Sequence, residues 1–468
     1  MKTLTAKEGI ETGTLGDEKI DLLLIKPCLD FEREQAQLSL LKIEEEIPVG
    51  RSPLLGIGYL LAVAKHAGLK AKFIDMLAYD VSVDHLLKYI NQSKPTLVGF
   101  TAFTIQTKSA GSIAKEIKRH FPDILICVGG AHATMIPEIT LEEFPAFDFV
   151  VCGEGELILL QIFENLKQGF SLSNIKGVVT RGKADCSYDA ITNLDGLPFP
   201  AWEEFDLSKF SGESPHRTRL ELPMSTSRGC PSNCIFCARP YGRHRRKRTN
   251  ESIIKEIEHN INDFGCEAIV LVDEVFISDL KQSNELFHTI IEKGINKKVK
   301  WACETRLDNT SPELFRLMKE AGCYYIFFGF ESGDDTILKT VKKGFKASEI
   351  KEPVQWAKDA GIACVGSFIL GLPGETEETV NKSIKLAQEL NIYSVTFPFA
   401  TPFPGTELRQ MATKNQYGLR ILTNDWDDYG KQYPGVMDSE QLTMEKLRIL
   451  QEKAYALNPK KKICDFEV

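Results

Sequence analysis

The feature that most constrains this chain is an alternation of short apolar runs with amphipathic stretches, set out in two blocks and interrupted once. In the first block, Asp21–Ile25, Lys72–Asp75, Thr96–Phe100, Ile124–Val128 and Phe147–Val151 have the length and composition of buried strands. Between them, Pro53–His66, Val83–Gln92 and Gln106–His120 carry apolar residues at helical spacing. Strands separated by helices predict a parallel sheet covered on both faces. The second block repeats the pattern from Glu221 to about Thr401, with strands at Ala268–Val272, Trp301–Glu304, Tyr325–Phe330, Cys364–Leu370 and Ser394–Phe399. Five or six such units suit a partial barrel, since a complete eight-fold barrel takes about 250 residues. Asn193–Trp202 is Pro-rich and breaks the periodicity, which predicts a linker. The expected fold is therefore α/β. A doubly wound, Rossmann-like domain over 1–192 and a linker over 193–220 precede a partial (β/α)6 barrel over 221–406. A small α-rich extension over 407–468 follows, with a last helix from about Ser439 to Tyr455.

The 468 residues exceed one ordinary hydrophobic core, which agrees with more than one domain. A net charge of −8 speaks against a general nucleic-acid binder, which needs a basic face. No run of about 18 uncharged apolar residues predicts a membrane span. Met1–Lys19 is polar and has no apolar signal region, so the expected location is the cytoplasm. In a reducing compartment most of the 12 cysteines read as free thiols. Cys28, Cys127, Cys152, Cys266, Cys323 and Cys364 lie in or beside apolar runs, where a thiol acts as a small core residue.

One stretch has metal spacing. Cys230-x-x-x-Cys234-x-x-Cys237 follows Pro223–Ser227, which reads as a strand end, so the loop leaves the C-terminal edge of a sheet. Three thiolates on one loop can hold three irons of a cubane cluster and leave the fourth iron open. Zinc is the competing occupant; a structural zinc takes four ligands, and His244 is the nearest residue to supply the last. Spacing alone leaves both open. The run Arg239, Arg243, Arg245, Arg246, Lys247 and Arg248 is dense enough for a phosphate footprint, yet only Tyr241 interleaves it. A solvated loop with one or two site-facing arginines is the preferred reading.

Further residues then follow the cysteines in a telling order. Asp273-Glu-Val-Phe276 ends the next strand, Arg306 closes Trp301-Ala-Cys-Glu-Thr-Arg, and Gly329-Phe-Glu-Ser-Gly333 ends the one after. Gly371-Leu-Pro-Gly-Glu-Thr376 and Pro402-Phe-Pro-Gly-Thr406 follow. Together with the cysteine loop, this pattern resembles the radical SAM superfamily from Glu221 to about Thr406. The resemblance implies a 4Fe–4S cluster on Cys230, Cys234 and Cys237 and S-adenosylmethionine (SAM) chelated at its open iron. It also places Asp273 and Glu274 near the methionine amino group, Arg306 at the carboxylate, and Glu331 with Ser332 at the ribose. Reductive cleavage of SAM to a 5′-deoxyadenosyl radical is the implied chemistry, with flavodoxin or ferredoxin as electron donor.

In the first block, Leu55-Gly-Ile-Gly supplies only half of a dinucleotide fingerprint and falls early in a helix. The segments Pro53–Leu60, Val98–Thr104, Val128–Thr134 and Val151–Glu156 instead resemble the cobalamin-binding domain found in front of many radical SAM cores. The cobalt-ligating D-x-H-x-x-G signature is absent. The resemblance thus implies a corrin whose tail lies against Thr101, Thr104, Gly129 and Gly130, with no protein histidine on cobalt. His132 is either a contact to that tail or an ordinary hydrogen-bonded histidine. The implied function is hydrogen abstraction from an unactivated carbon of a small-molecule substrate, followed by methyl transfer from methylcobalamin. Ring closure or skeletal rearrangement without methyl transfer is the alternative within the group. A metal-bearing nucleic-acid module is the alternative from another class. Lipid, tetrapyrrole and natural-product precursors all remain open as substrates. Trp426, Tyr429 and Tyr433 either cap a pocket or pack.

Overall fold

A computed structural model describes residues 19–28, 52–183, 185–210 and 220–458. The expectations for the polar N-terminal stretch and for the last residues of the chain lie outside these. The chain divides into two compact units, Met1–Ser211 with Ala238–Tyr241, and Gly212–Cys237 with Gly242–Val468.

The first unit is a six-stranded sheet in the order β2-β1-β3-β4-β5-β6. Its strands are β1 (Leu22–Lys26), β2 (Ala71–Asp75), β3 (Leu97–Thr101), β4 (Leu125–Gly129), β5 (Phe149–Val151) and β6 (Val178–Thr180). All pairings are parallel except β5 with β6. The strands are apolar on both faces because helices cover both; Leu22, Leu23 and Ile25 of β1 are wholly buried. Helices start where side chains can satisfy the orphan amides. Ser82 accepts from the His85 N–H at 3.3 Å to open the helix Val83–Ser93.

The Pro-rich stretch after β6 is not a free tether. Residues 194–210 run as three short 3₁₀ turns whose side chains join the core of the first unit. Trp202 is fully buried, stacks edge-on to Phe205 at 5.3 Å and lies against Gly58, where an added Cβ would come within 3.1 Å of the indole. Ala201 N–H donates to the Gly58 carbonyl at 3.0 Å, and Glu204 pairs with Lys65 and Lys72. Proline had broken the helical period, but the aromatics between the prolines were the stronger signal: Trp and Phe at that density are buried.

The second unit opens with β7 (Glu221–Met224) and the two-residue pair β8 (Ser227–Arg228) and β9 (Arg246–Lys247). Then come β10 (Ala268–Leu271), β11 (Lys300–Thr305), β12 (Cys323–Glu331), β13 (Ala363–Phe368) and β14 (Ser394–Thr396). The large sheet has the order β14-β13-β12-β11-β10-β7, all parallel, which is the six-stranded partial barrel. Thr249, Asp279, Ser311 and Thr376 each accept a backbone N–H at the start of the following helix. On the outer face Phe330, Phe368 and Phe397 form a continuous ring stack, with centroids 5.2 and 6.0 Å apart.

The extension is α-rich, as expected, and holds one short strand pair as well. Between the helices Glu407–Thr413 and Met444–Leu457 it holds an antiparallel pair, β15 (Leu419–Ile421) with β16 (Met437–Ser439). The last helix starts at Met444, not at Ser439, because Thr443 caps it. Trp426 and Tyr429 are buried, and the Arg409 guanidinium stacks over the Trp426 ring at 4.9 Å. They pack. Trp202→Ala should lower the unfolding free energy of the first unit by about 3–5 kcal/mol, read from denaturant titration, because a wholly buried indole is removed.

Candidate active site

The cysteine loop is held from below by one carboxylate. Asp273, at the end of β10 and 2% exposed, accepts from Thr226 N–H at 3.0 and 3.1 Å, from Thr226 Oγ1 at 2.8 Å and from Ser227 Oγ at 2.5 Å. Such saturation makes Asp273 a positioning residue for the start of the loop and leaves it little capacity for a ligand. Its neighbour Glu274 is exposed and accepts from Gly229 N–H at 3.2 Å. Surrounding protein pushes the Glu274 carboxyl up, and the charge of Asp273 adds to this.

Along the loop, Cys230 is half-buried, Cys234 buried and Cys237 exposed. The short turn 341–343 after the helix Asp335–Thr340 grips the loop. Ile235 N–H donates to the Val341 carbonyl at 3.3 Å, and the Cys234 thiol lies 3.9 Å from the Lys342 carbonyl. From the same turn the Lys343 ammonium, 8% exposed, reaches Glu331 Oε1 at 2.7 Å, and the Lys343 carbonyl accepts from Arg306 at 2.7 Å. Arg306 also donates to Ser232 Oγ at 3.3 Å and to Asp308 at 2.7 Å. Glu331 sits where the β12–β13 register slips and has φ of +67°, a conformation few non-glycine residues adopt. Cysteine loop, Arg306 and Glu331 thus meet at one buried lysine. Sequence reasoning missed Lys343; the signal was a charged pair, Lys342-Lys343, directly after the apolar Val341 and before Gly344.

Ser332 does not share that space. It is fully buried against Ser383 of the helix Glu377–Leu390, with its hydroxyl 3.4 Å from the Ser383 hydroxyl. Glu375 of the Gly371–Thr376 segment is buried and accepts from Gly371 and Leu372 N–H at 2.7 and 3.1 Å. Burial pushes its carboxyl up to about 8. The basic run is absorbed structurally. Arg245 donates to Ser227 Oγ and to the Phe276 carbonyl, Arg248 forms a buried pair with Glu256, and Lys247 pairs with Asp279 at 2.5 Å. Tied down in this way, these cations do not form a free phosphate-binding face.

In the first unit the residues expected at a corrin tail line the C-terminal edge of the sheet. Thr101 ends β3 and Gly129 ends β4, while Thr104 is buried in the turn that follows β3. Gly130 has φ of +104°, and a Cβ there would lie 3.0 Å from the Ala102 carbonyl. Gly153, after β5, has φ of +69° and sits under the Tyr188 ring, which a Cβ would strike at 2.4 Å. At both positions glycine is required by the positive φ and by the chain's own close packing. Phe103 stands 59% exposed beside Thr104. His132 is 2% exposed in the short helix Ala131–Met135.

The surrounding protein and the negative charge of Cys234 together push the Cys237 thiol up to about 12, so three thiolates side by side need a strongly cationic partner, and the chemistry of this donor set fits an iron–sulfur cluster. Among the described residues, no three or more His, Cys, Asp or Glu side chains surround a single metal-ion position, the three loop cysteines included.

The geometry therefore defines a parallel-sheet unit with small residues at its C-terminal edge, joined in sequence to a partial barrel that carries three cysteines on one loop. Comparison with known proteins agrees. Residues 224–387 match the Radical SAM superfamily and residues 49–163 the B12 binding domain. An uncharacterized methyltransferase of Pyrococcus horikoshii is 32% identical over 88% of this chain and 90% of its own length. The cytidylyl-2-hydroxyethylphosphonate methyltransferase of Streptomyces wedmorensis is 27% identical, over 76% of each chain. The structure of the radical SAM methyltransferase TsrM from Kitasatospora setae, with cobalamin and a [4Fe–4S] cluster, superposes with a TM-score of 0.70. It covers 94% of this chain and 89% of its own at 17% identity, a likeness of fold. The chain belongs to the radical SAM superfamily, in the group that carries a cobalamin-binding domain. It is an enzyme, and its cofactors are a 4Fe–4S cluster, SAM and cobalamin. No helix among the described residues is long and apolar enough to cross a membrane.

Lys343→Met should strand the Glu331 carboxylate in a buried position. Unfolding should become easier by about 3–5 kcal/mol, the usual effect of breaking a buried ion pair from one side. Asp273→Ala, which frees Thr226 and Ser227, should lower the iron and sulfide content after anaerobic reconstitution more than Asp273→Asn does.

Proposed function

We propose that this enzyme methylates an unactivated carbon of a small-molecule substrate. The observation that carries the reading is the similarity to a methyltransferase through both halves of the chain, together with the cysteine loop. When bound, the cluster supplies the electron that cleaves SAM, and methylcobalamin supplies the methyl group.

Cys230, Cys234 and Cys237 hold three irons and leave the fourth to SAM. Glu274 takes the methionine amino group, since its carboxylate is the open one of the Asp273–Glu274 pair, and Asp273 fixes the loop beneath. Arg306 takes the SAM carboxylate with the N–H capacity left over from its three contacts. Glu331, aimed by Lys343, accepts from the ribose hydroxyls, and Ser332 locks the backbone of that strand end from behind. Thr101, Thr104, Gly129 and Gly130 cradle the corrin tail. We assign the corrin domain to 1–192 with the docked segment 194–210, the barrel to 221–406 and the extension to 407–468. Flavodoxin or ferredoxin serves as electron donor, and the free thiols suit the cytoplasm.

Anaerobically reconstituted protein should be brown and retain stoichiometric corrin after desalting. Under strong reductant it should release 5′-deoxyadenosine from SAM. Replacing all three loop cysteines by alanine should abolish iron uptake and 5′-deoxyadenosine together. A desalted protein free of corrin would rule out methyl transfer, and a colourless, zinc-replete one would rule out the radical chemistry.

A further inference from the structure

The inner face of the barrel sheet carries a charge at mid-height that no role above uses. Residues paired across parallel strands point to the same side, so the register defines layers. Glu304 of β11 pairs with Phe327 of β12, Phe327 with Val365 of β13, and Val365 with Ser394 of β14. Beneath this layer Ala268, Ala302 and Tyr324 close the barrel as an apolar plug. Above it lie Gly329, Ser367 and Thr396.

Glu304 is exposed although aromatic and aliphatic side chains share its layer, and Val272, just past β10, is 48% exposed. A charge and an apolar side chain, both open to solvent above a closed plug, mark a hollow rather than a packed core. Among the described residues the Glu304 carboxylate makes no hydrogen bond or ion pair. The surrounding protein raises its pKa; Glu331 and Glu274 add to this, while Lys343 and Lys431 oppose it. Of those cations, Lys343 is committed to Glu331. Lys431 comes from the extension, held where its carbonyl accepts from Phe399 N–H at 2.7 Å, and its side chain is exposed. The hollow therefore offers apolar walls and a carboxylate without a counter-ion of its own. Such a site selects an apolar ligand with one well-placed polar group.

We propose that the hollow binds a substrate with an apolar body that ends in a protonated amine, and that Glu304 receives the ammonium. This rests on the reading of the barrel as the substrate side of a methylating enzyme. A cation is favoured over an anion because, with Lys343 and Glu331 spent on each other, the two carboxylates of Glu304 and Glu274 face the single cation Lys431. Glu304 acts here as a binding and specificity residue.

The test uses anaerobically reconstituted holoenzyme titrated calorimetrically with octylamine, octanol and octanoate. Octylamine should bind more tightly than octanol by roughly tenfold or more, the ordinary return on a hydrogen bond to a charged group. Glu304→Gln should erase that preference, Glu304→Asp should keep part of it, and Lys431→Ala should leave it intact or raise it. Equal affinities for octylamine in wild type and Glu304→Gln would overturn the proposal. So would tighter binding of octanoate that is lost in Lys431→Ala. Should Glu304→Gln fail to fold by circular dichroism, the reduced preference must appear in Glu304→Asp. Iron, sulfide and corrin contents of the same samples separate the two levels. A wild type that takes up no cluster sinks the reading of the reaction, whereas a loaded wild type with no amine preference sinks Glu304 alone.

Discussion

The ion pair between Lys343 and Glu331 is the contact on which the barrel site depends. Both groups are nearly inaccessible, so neither charge is tolerable without the other. The short turn that delivers the ammonium also accepts the Ile235 amide and the Arg306 guanidinium. One buried interaction thereby sets the spacing of three elements that lie far apart in sequence: the cysteine loop, the end of β11 and the end of β12. Its presence also explains how a glutamate persists at φ of +67°. The surroundings over-determine the strained residue, which is how such conformations survive at functional sites.

A second carboxylate works by the opposite principle. Asp273 is fully engaged, with both oxygens spent on Thr226 and Ser227. Glu274, one residue on, is left open. Both lie just past the end of β10, where the chain turns and can bury one carboxylate while leaving its neighbour exposed. The same division holds for Glu331 and Ser332, one reaching Lys343 and the other the helix behind. Parallel sheets place these choices at their C-terminal edge, where each strand gives way to a loop.

The alternation of strands and helices, the two-block layout and the cysteine loop were legible because each is local. A buried parallel strand must be a short apolar run, a helix must be amphipathic, and three ligands to one cluster must be close in sequence when they share a loop. The linker was misread for an equally local reason: proline signals a break in period, but only packing tells whether the broken segment floats or docks. Trp202 against Gly58 settles that it docks. Within the α-rich extension the strand pair went unread because Leu419–Ile421 and Met437–Ser439 are three-residue strands, too short to carry a period of two.

By itself the sequence determined the class of fold and the cofactors it goes with, and it set three cysteines on one loop. Only the tertiary structure decided the division of labour around that loop: that Asp273 braces the loop while Glu274 stays open, that the arginine run is spent on internal partners, and that Lys343 joins the site. Glu304 belongs to the same category, since nothing in Cys-Glu-Thr-Arg tells which face of the strand is hollow. The physical reason is common to all of them. Residue type limits which bonds a side chain can make, but burial and the number of partners within reach decide which bonds it does make.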